Sequence, residues 1–303
     1  MRAALRASSV AGSLRSFRRD DVPAVLDLSR RALTRAEEHV GNPLWATRDE
    51  LESELSDWDQ PPEETLLVDE EDRTVAGFGG VEVARGFRHA DLFGPLIAPG
   101  FRGKRLGGEL LDASIAIALE HGRRTVVAQV GPRNISGRML LEHAGFHPRG
   151  PTRAVFRLAP EEHRLVDDGP PGVEIRRGGE DDYEEALRLY RETFPEGVFP
   201  DEAWREGLEK GSVYLAERGG APLALLNIDA SDRWAYQIGV AAEERSQGVA
   251  RWLLSQALQE YWREHPGETL GLSVEADNLP ALRLLRRQGF APLLVLQSYE
   301  LWL

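Results

Sequence analysis

The stretch Arg245-Ser246-Gln247-Gly248-Val249-Ala250 joins an apolar run ending at Val240 to a helical pattern beginning near Gly248. Small residues at its fourth and sixth positions let the backbone approach a bulky anion. A helix start adds unpaired N–H groups and the positive end of the helix dipole. Such a turn accepts a pyrophosphate without a lysine. Two other phosphate motifs fail. Gly103-Lys104 is followed by Arg105, and Ala98 stands where the first glycine of a phosphate-binding loop belongs. Gly77-Phe78-Gly79-Gly80 lacks the spacing of a dinucleotide fingerprint. Cysteine is absent, which excludes disulfides, thiolate metal sites and a cysteine acyl-enzyme. His143 and His147 are separated by Gly145 at an expected helix stop, so they share no helical face and no metal site is expected.

The elements that must position this loop occur twice. SLRSFRRDDVPAVLDLSRRAL near the start matches VEIRRGGEDDYEEALRLYRETF after residue 172, each a short strand pattern followed by an amphipathic helix. IAPGFRGKRLGGELL from Ile97 answers VAAEERSQGVARWLL from Val240. Arg102 and Arg245 lie 143 apart, while Asn134 and Asn278 lie 144 apart, as do Gly145 and Gly289. So constant an offset marks a duplicated domain. The expected division is a tail over 1–12, a first domain over 13–160, a Pro/Gly-containing linker over 161–171 and a second domain over 172–303. Within each copy the order is strand, helix, helix, strands, helix, strand, helix, strand, which predicts a mixed α/β sheet with helices on both faces. In the second copy Val213–Ala216, Leu223–Ile228, Trp234–Val240 and Leu270–Val274 read as strands. Pro280–Arg287 reads as a helix capped by Asp277-Asn278 and stopped by Gly289. The acidic run Pro62–Asp72 reads as solvated surface and loop, and Trp252, Trp262 and Trp302 as core or domain contacts.

A net charge of −13 and a pI near 5.1 repel phosphate backbones and exclude nucleic acid as the expected partner. They suit a cationic substrate such as an amine. No apolar run approaches the roughly 20 residues a membrane span needs, and the first residues lack the apolar core of a secretory signal. No membrane association and a cytoplasmic location are therefore expected.

RSQGVA, its preceding Ile238-Gly239-Val240, and VEADNLPALRLLRRQGF downstream resemble the Arg/Gln-x-x-Gly-x-Gly/Ala signature and context of GNAT acyltransferases. The arrangement of two copies is similar to that of mycothiol synthase-like tandem proteins. The resemblance implies two tandem acyl-CoA-binding domains, with acetyl-CoA as cofactor and direct transfer of an acetyl group to a small-molecule amine. It implies cofactor contacts from Ile238, Val240, Arg245, Ser246, Gln247, Gly248, Val249, Ala250 and Asn278. The first copy departs from the signature, because Arg105 fills its first small position. Ile97, Arg102, Gly103, Gly107, Gly108 and Asn134 are its weaker counterparts, and chemistry is expected in the C-terminal copy. The family's tyrosine, four residues before Gly-Phe, is replaced by Leu285 and Leu141. Tyr236 and Tyr299 are the substitutes considered for the proton donor, and Asp229, Asp232, Glu192 and Glu196 for the base. The alternative is a non-catalytic acyl-CoA-binding tandem protein, a sensor or scaffold. A monomer and a homodimer both remain open.

Overall fold

The computed structural model describes residues 13–195 and 199–303. The expected tail over 1–12 and the candidate base Glu196 lie outside the described residues.

The first repeat runs β1 (Ser13–Ser16), α1 (Val22–Thr34), α2 (Arg48–Ser56), α3 (Pro62–Thr65), β2 (Leu66–Glu71), β3 (Thr74–Glu82), β4 (His89–Ile97), α4 (Leu106–Glu120), β5 (Thr125–Val130), α5 (Ile135–His143) and β6 (His147–Leu158). The second runs β7 (Glu174–Arg177), α6 (Tyr183–Thr193), α7 (Asp201–Glu209), β8 (Val213–Arg218), β9 (Ala221–Asp229), β10 (Trp234–Val240), α8 (Val249–Glu264), β11 (Leu270–Glu275), α9 (Leu279–Gln288) and β12 (Ala291–Trp302). Local chemistry explains several boundaries. Thr47 and Glu50 form a capping box at the start of α2. Asn278 accepts from the Ala281 N–H at the start of α9, and Gly289 ends that helix at φ 102°. A Cβ on Gly289 would lie 2.1 Å from the Glu162 carbonyl oxygen, so glycine is required there.

Among the described residues all strands join one mixed twelve-stranded sheet in the order β1-β2-β3-β4-β5-β12-β6-β11-β10-β9-β8-β7. Only β4/β5 and β10/β11 pair in parallel. The last strand of each repeat is seated in the other: β12 pairs with β5 from Gln297↔Val130 to Trp302↔Thr125, and β6 pairs with β11 from Leu270↔Leu158 to Glu275↔Arg153. Beside each other at the centre, β6 and β12 run antiparallel. Strand alternation gives β6 two uses. Ala154, Phe156 and Leu158 pack with Leu253, Leu285 and Phe290 of the second repeat, whereas Val155 faces Leu294 and Leu296 on the opposite side.

Two sequence expectations are corrected. The Pro62–Asp72 run is not solvated loop: it contains α3 and β2, with Thr65, Leu66, Val68 and Asp69 fully buried. Alternating Leu66 and Val68 supply a strand face that the acidic composition masked. Trp302 is 72% exposed at the end of β12, not core. No helix among the described residues is long and apolar enough to cross a membrane.

Candidate functional site

The two loops share one backbone design. Arg102 Nε donates to the Ile97 carbonyl at 3.2 Å, and Arg245 Nε donates to the Val240 carbonyl at 3.2 Å, so each arginine ties its loop to the preceding strand. Two left-handed residues follow in each: Gly103 (φ 78°) and Arg105 (φ 68°), then Ser246 (φ 64°) and Gly248 (φ 87°). Arg105 is exposed and lines the cleft at the start of α4.

Beyond these loops the parallel pairs splay. The β4/β5 pairing covers only His89–Asp91, and β10/β11 pairing only Trp234 and Ala235. In the first repeat the gap widens into a cleft of about 370 Å³, and Ile97, Arg102, Gly103, Gly107, Gly108 and Asn134 all line it. Its inner end is crossed by the segment after α1. Val40 bridges to Val130, the Gly41 N–H donates to the Gln129 carbonyl (2.8 Å), and the Gly94 N–H donates to the Asn42 carbonyl (2.8 Å). Asn134 caps α5 by accepting from the Gly137 N–H and donates to the His39 carbonyl. Glu38 meets Arg102 at 2.6 Å and Arg31 at 2.7 Å. Burial works to raise its pKa, yet the two guanidiniums hold it below the usual carboxylate range.

In the second repeat Ile238 and Val240 lie on β10, and Arg245 to Ala250 form the loop and first turn of α8. Trp234 covers Gly271 where the strands part; a Cβ there would lie 2.3 Å from the indole. Pro170 of the linker sits near Gly248, 3.8 Å from where a Cβ would stand. Asn278 is an exposed helix cap.

A second cavity, about 290 Å³, lies at the centre of the sheet and is walled by both repeats. Gln129 lines both cavities, so cleft and chamber adjoin across that residue and the Gly41-Asn42 segment. Arg153, Val155 and Arg157 of β6 floor it, α2 with Trp45 roofs it, and Glu82, Asp91, Asp232 and Tyr236 stand around it. The roof is fastened to the second repeat where Ser53 Oγ donates to the Ser231 carbonyl (3.0 Å) and Ser231 Oγ donates to Asp57 (2.9 Å), and to the floor where Arg157 pairs with Glu50 (2.8 Å). Burial, with the Asp232 charge, pushes Glu54 up to about 8 against the bond it accepts from Trp45 Nε1. Asp232 is pushed up to about 6 by burial and Asp229, although Tyr236 donates to it. Burial and Asp91 raise Glu82 well above the carboxylate range. Among the described residues the Glu82 carboxylate has no ion-pair partner. Tyr236 is surrounded by protein yet 41% exposed, because its ring faces the chamber.

The candidate proton-transfer residues thus separate. Tyr236 and Asp232 meet in the chamber. Asp229 instead accepts from the Ser231 N–H and holds the turn. Tyr299 does not serve the second repeat: β12 carries it into the core of the first, 1% exposed, where its hydroxyl accepts from Arg138 Nε and donates to Glu142. Glu192 is a surface partner of Arg188. Sequence reasoning missed Glu54, Glu82 and Arg153, whose neighbours come from distant segments and leave no spacing signal.

The profile of the Acetyltransferase (GNAT) family matches the chain twice, at residues 25–146 and 181–290. No curated protein matches it. Among solved structures, a GCN5-related N-acetyltransferase from Sphaerobacter thermophilus is similar at TM-score 0.73 and 20% identity, covering 96% of this chain and 95% of that one. A tandem GNAT protein from the clavulanic acid biosynthesis pathway is similar at TM-score 0.65 and 19% identity, covering 96% and 98%. At such identities the likeness is one of fold.

Proposed function

The chain belongs to the GNAT acetyltransferase family and is an acyltransferase, and on that premise we propose that it moves an acetyl group from acetyl-CoA to a small-molecule amine, with the cofactor in the first repeat's cleft and the amine in the central chamber. The observation that carries this reading is the convergence of six first-repeat positions on one cleft that adjoins, at Gln129, a chamber of enclosed carboxylates. The chain's groups suit coenzyme A. A Cβ on Gly103 or Gly108 would meet nothing within 4 Å, so the loop has room for a bulky anion. The first turn of α4 offers N–H donors, and Arg105 adds positive charge at the cleft beside Arg102, whose guanidinium is shared with Glu38. When bound, the cofactor supplies a thioester already activated toward an amine.

The chain's own work is then proton management and orientation. The chamber attracts an ammonium ion, and a carboxylate whose pKa is raised by burial is a matched acceptor for its proton. Glu82, at the end of β3 and free of partners, is the base we assign; Tyr236 and Asp232 hold a second proton in reserve on the opposite wall. Removing three carboxylates from bulk water with no ion pair to any of them among the described residues lowers stability, a cost that a ligand-free scaffold has no reason to retain. Trp234 over Gly271 and Pro170 beside Gly248 favour the first repeat over the second as the cofactor site, despite the better signature at Gly248.

Calorimetric titration with acetyl-CoA tests this on wild type, Gly108→Glu and Ala250→Glu. Both substitutions place an acid in the first turn of a helix, where it is tolerated. One site, lost in Gly108→Glu and kept in Ala250→Glu, is expected. Loss in Ala250→Glu alone would move the cofactor to the second repeat, and no binding by wild type would overturn the reading.

A further inference from the structure

The chamber is not uniformly acidic. Arg153 stands on its floor, enclosed enough that burial lowers its pKa, although a guanidinium remains charged. Its Nε donates to Ser273 Oγ at 3.0 Å and its Nη2 to the Ser273 carbonyl at 2.9 Å, which fix the plane of the group across β6 and β11. Among the described residues it forms no ion pair. Glu275, opposite it in the strand register, is exposed and does not close on it. Arg157, four residues along the same strand, is by contrast taken by Glu50 and the Leu44 carbonyl.

On the other walls stand Glu54, Glu82 and Asp232, none of which forms an ion pair among the described residues. Glu82 has no partner of any kind among the described residues and lines the cavity directly. A fixed guanidinium and a set of carboxyl groups held apart in one cavity, with no ion pair formed between them, make a receptor for a molecule that carries both signs.

From this juxtaposition we infer that the acceptor is an amino acid or amino-acid-like zwitterion, its amine received by Glu82, Glu54 and Asp232 and its carboxylate by Arg153. This rests on the acyltransferase reading above and assigns its substrate class. It also gives the second repeat a part in the first repeat's chemistry, because Asp232, Tyr236 and Ser273 all come from it. The balanced step is attack of the neutral amine nitrogen on the thioester carbonyl: a C–N bond forms, the C–S bond breaks, the amine nitrogen gives its proton to the carboxylate base, and one proton is returned to the departing thiolate, which leaves as coenzyme A thiol.

The test compares matched acceptors in a thiol-release assay with acetyl-CoA: 4-aminobutyrate against butylamine, and lysine against cadaverine. Acetyl-CoA calorimetry is run alongside on wild type, Arg153→Gln and Arg153→Lys. Wild type is expected to favour the carboxylated member of at least one pair at least about tenfold in kcat/KM, the size of one charge-assisted contact. Arg153→Gln should raise KM for that member about tenfold and leave its uncharged-tail counterpart unchanged, while Arg153→Lys restores part of the preference. Equal use of both members by wild type, a preference untouched by Arg153→Gln, or no acylation of any of the four with acetyl-CoA binding intact would each overturn the zwitterion assignment. Failure of wild type to bind acetyl-CoA would instead overturn the reading beneath it.

Discussion

Arg105 and Gly248 occupy the same place in the two repeats, each the left-handed residue immediately before a helix, at φ 68°, ψ 0° and φ 87°, ψ −2°. Glycine adopts this conformation freely, whereas an L side chain pays about 1–2 kcal/mol. The first repeat accepts that strain and places a guanidinium at the mouth of its cleft.

Arg105→Gly should therefore have opposite effects on folding and on binding. Relief of backbone strain, partly offset by the greater freedom of glycine in the unfolded chain, is expected to leave stability unchanged or raised by up to about 1 kcal/mol. Loss of the exposed charge should weaken acetyl-CoA binding about threefold, in line with the ~0.2–1 kcal/mol of an exposed ion pair. Thermal unfolding and calorimetry on the same variant decide it, and tighter binding would show that Arg105 obstructs the cleft.

The same pair explains what was legible in the sequence. Gly248 announces a left-handed residue by its type, so the second loop reads as intact and the first as degenerate. Arg105 reaches the same φ, a fact that residue type conceals. The duplication and the order of elements were legible because Arg102/Arg245, Asn134/Asn278 and Gly145/Gly289 keep their offset. Partner choice was not. Phe156 and Leu158 need an apolar sheet face beneath α8 and α9, and nothing in their spacing says which repeat provides it. The chamber was hidden for a related reason. Glu54 on α2, Glu82 on β3, Arg153 on β6 and Asp232 before β10 become neighbours only once the last strands cross.

That crossing makes the repeats interdependent. A fragment over 13–160 keeps β6 but loses β12, which removes the strand paired with β5 and the burial of Tyr299 against Leu141. A fragment over 172–303 loses β6, and with it Phe156 and Leu158 from its core. Each fully buried apolar side chain is worth about 1.5–3 kcal/mol, so the losses rival the whole stability of a domain. Neither fragment is expected to be a folded monomer alone, while the two mixed should recover a 1:1 complex with the full chain's circular dichroism. Sedimentation of each fragment alone and of the mixture measures this, and two independently folded monomers would contradict it.

If Glu82 takes the amine proton, Glu82→Gln should lower kcat about 10²-fold or more and leave acetyl-CoA binding unchanged. The pH profile separates this from a structural loss. A base acts when unprotonated, so wild-type kcat/KM should climb with pH through a pKa above the ordinary carboxylate range, as burial beside Asp91 dictates. The variant should lose that limb. A profile of unchanged shape would assign the proton to another group.

Glu54 allows a test of the chamber that needs no substrate. Its folded-state pKa, near 8, lies above the ordinary 4.5 because burial and Asp232 disfavour its charge. Between those values the folded chain binds more protons at this site than the unfolded chain does, so its contribution to stability falls as pH rises. Glu54→Gln removes the titration and keeps an acceptor for Trp45 Nε1. Comparing the variant with wild type cancels every other titrating group to first order. The variant's Tm relative to wild type should change little near pH 5 and rise by several degrees toward pH 8.5, read by calorimetry at constant ionic strength. An offset independent of pH would mean that Glu54 ionises as freely as a surface carboxylate, and that the roof formed by α2 does not enclose the chamber.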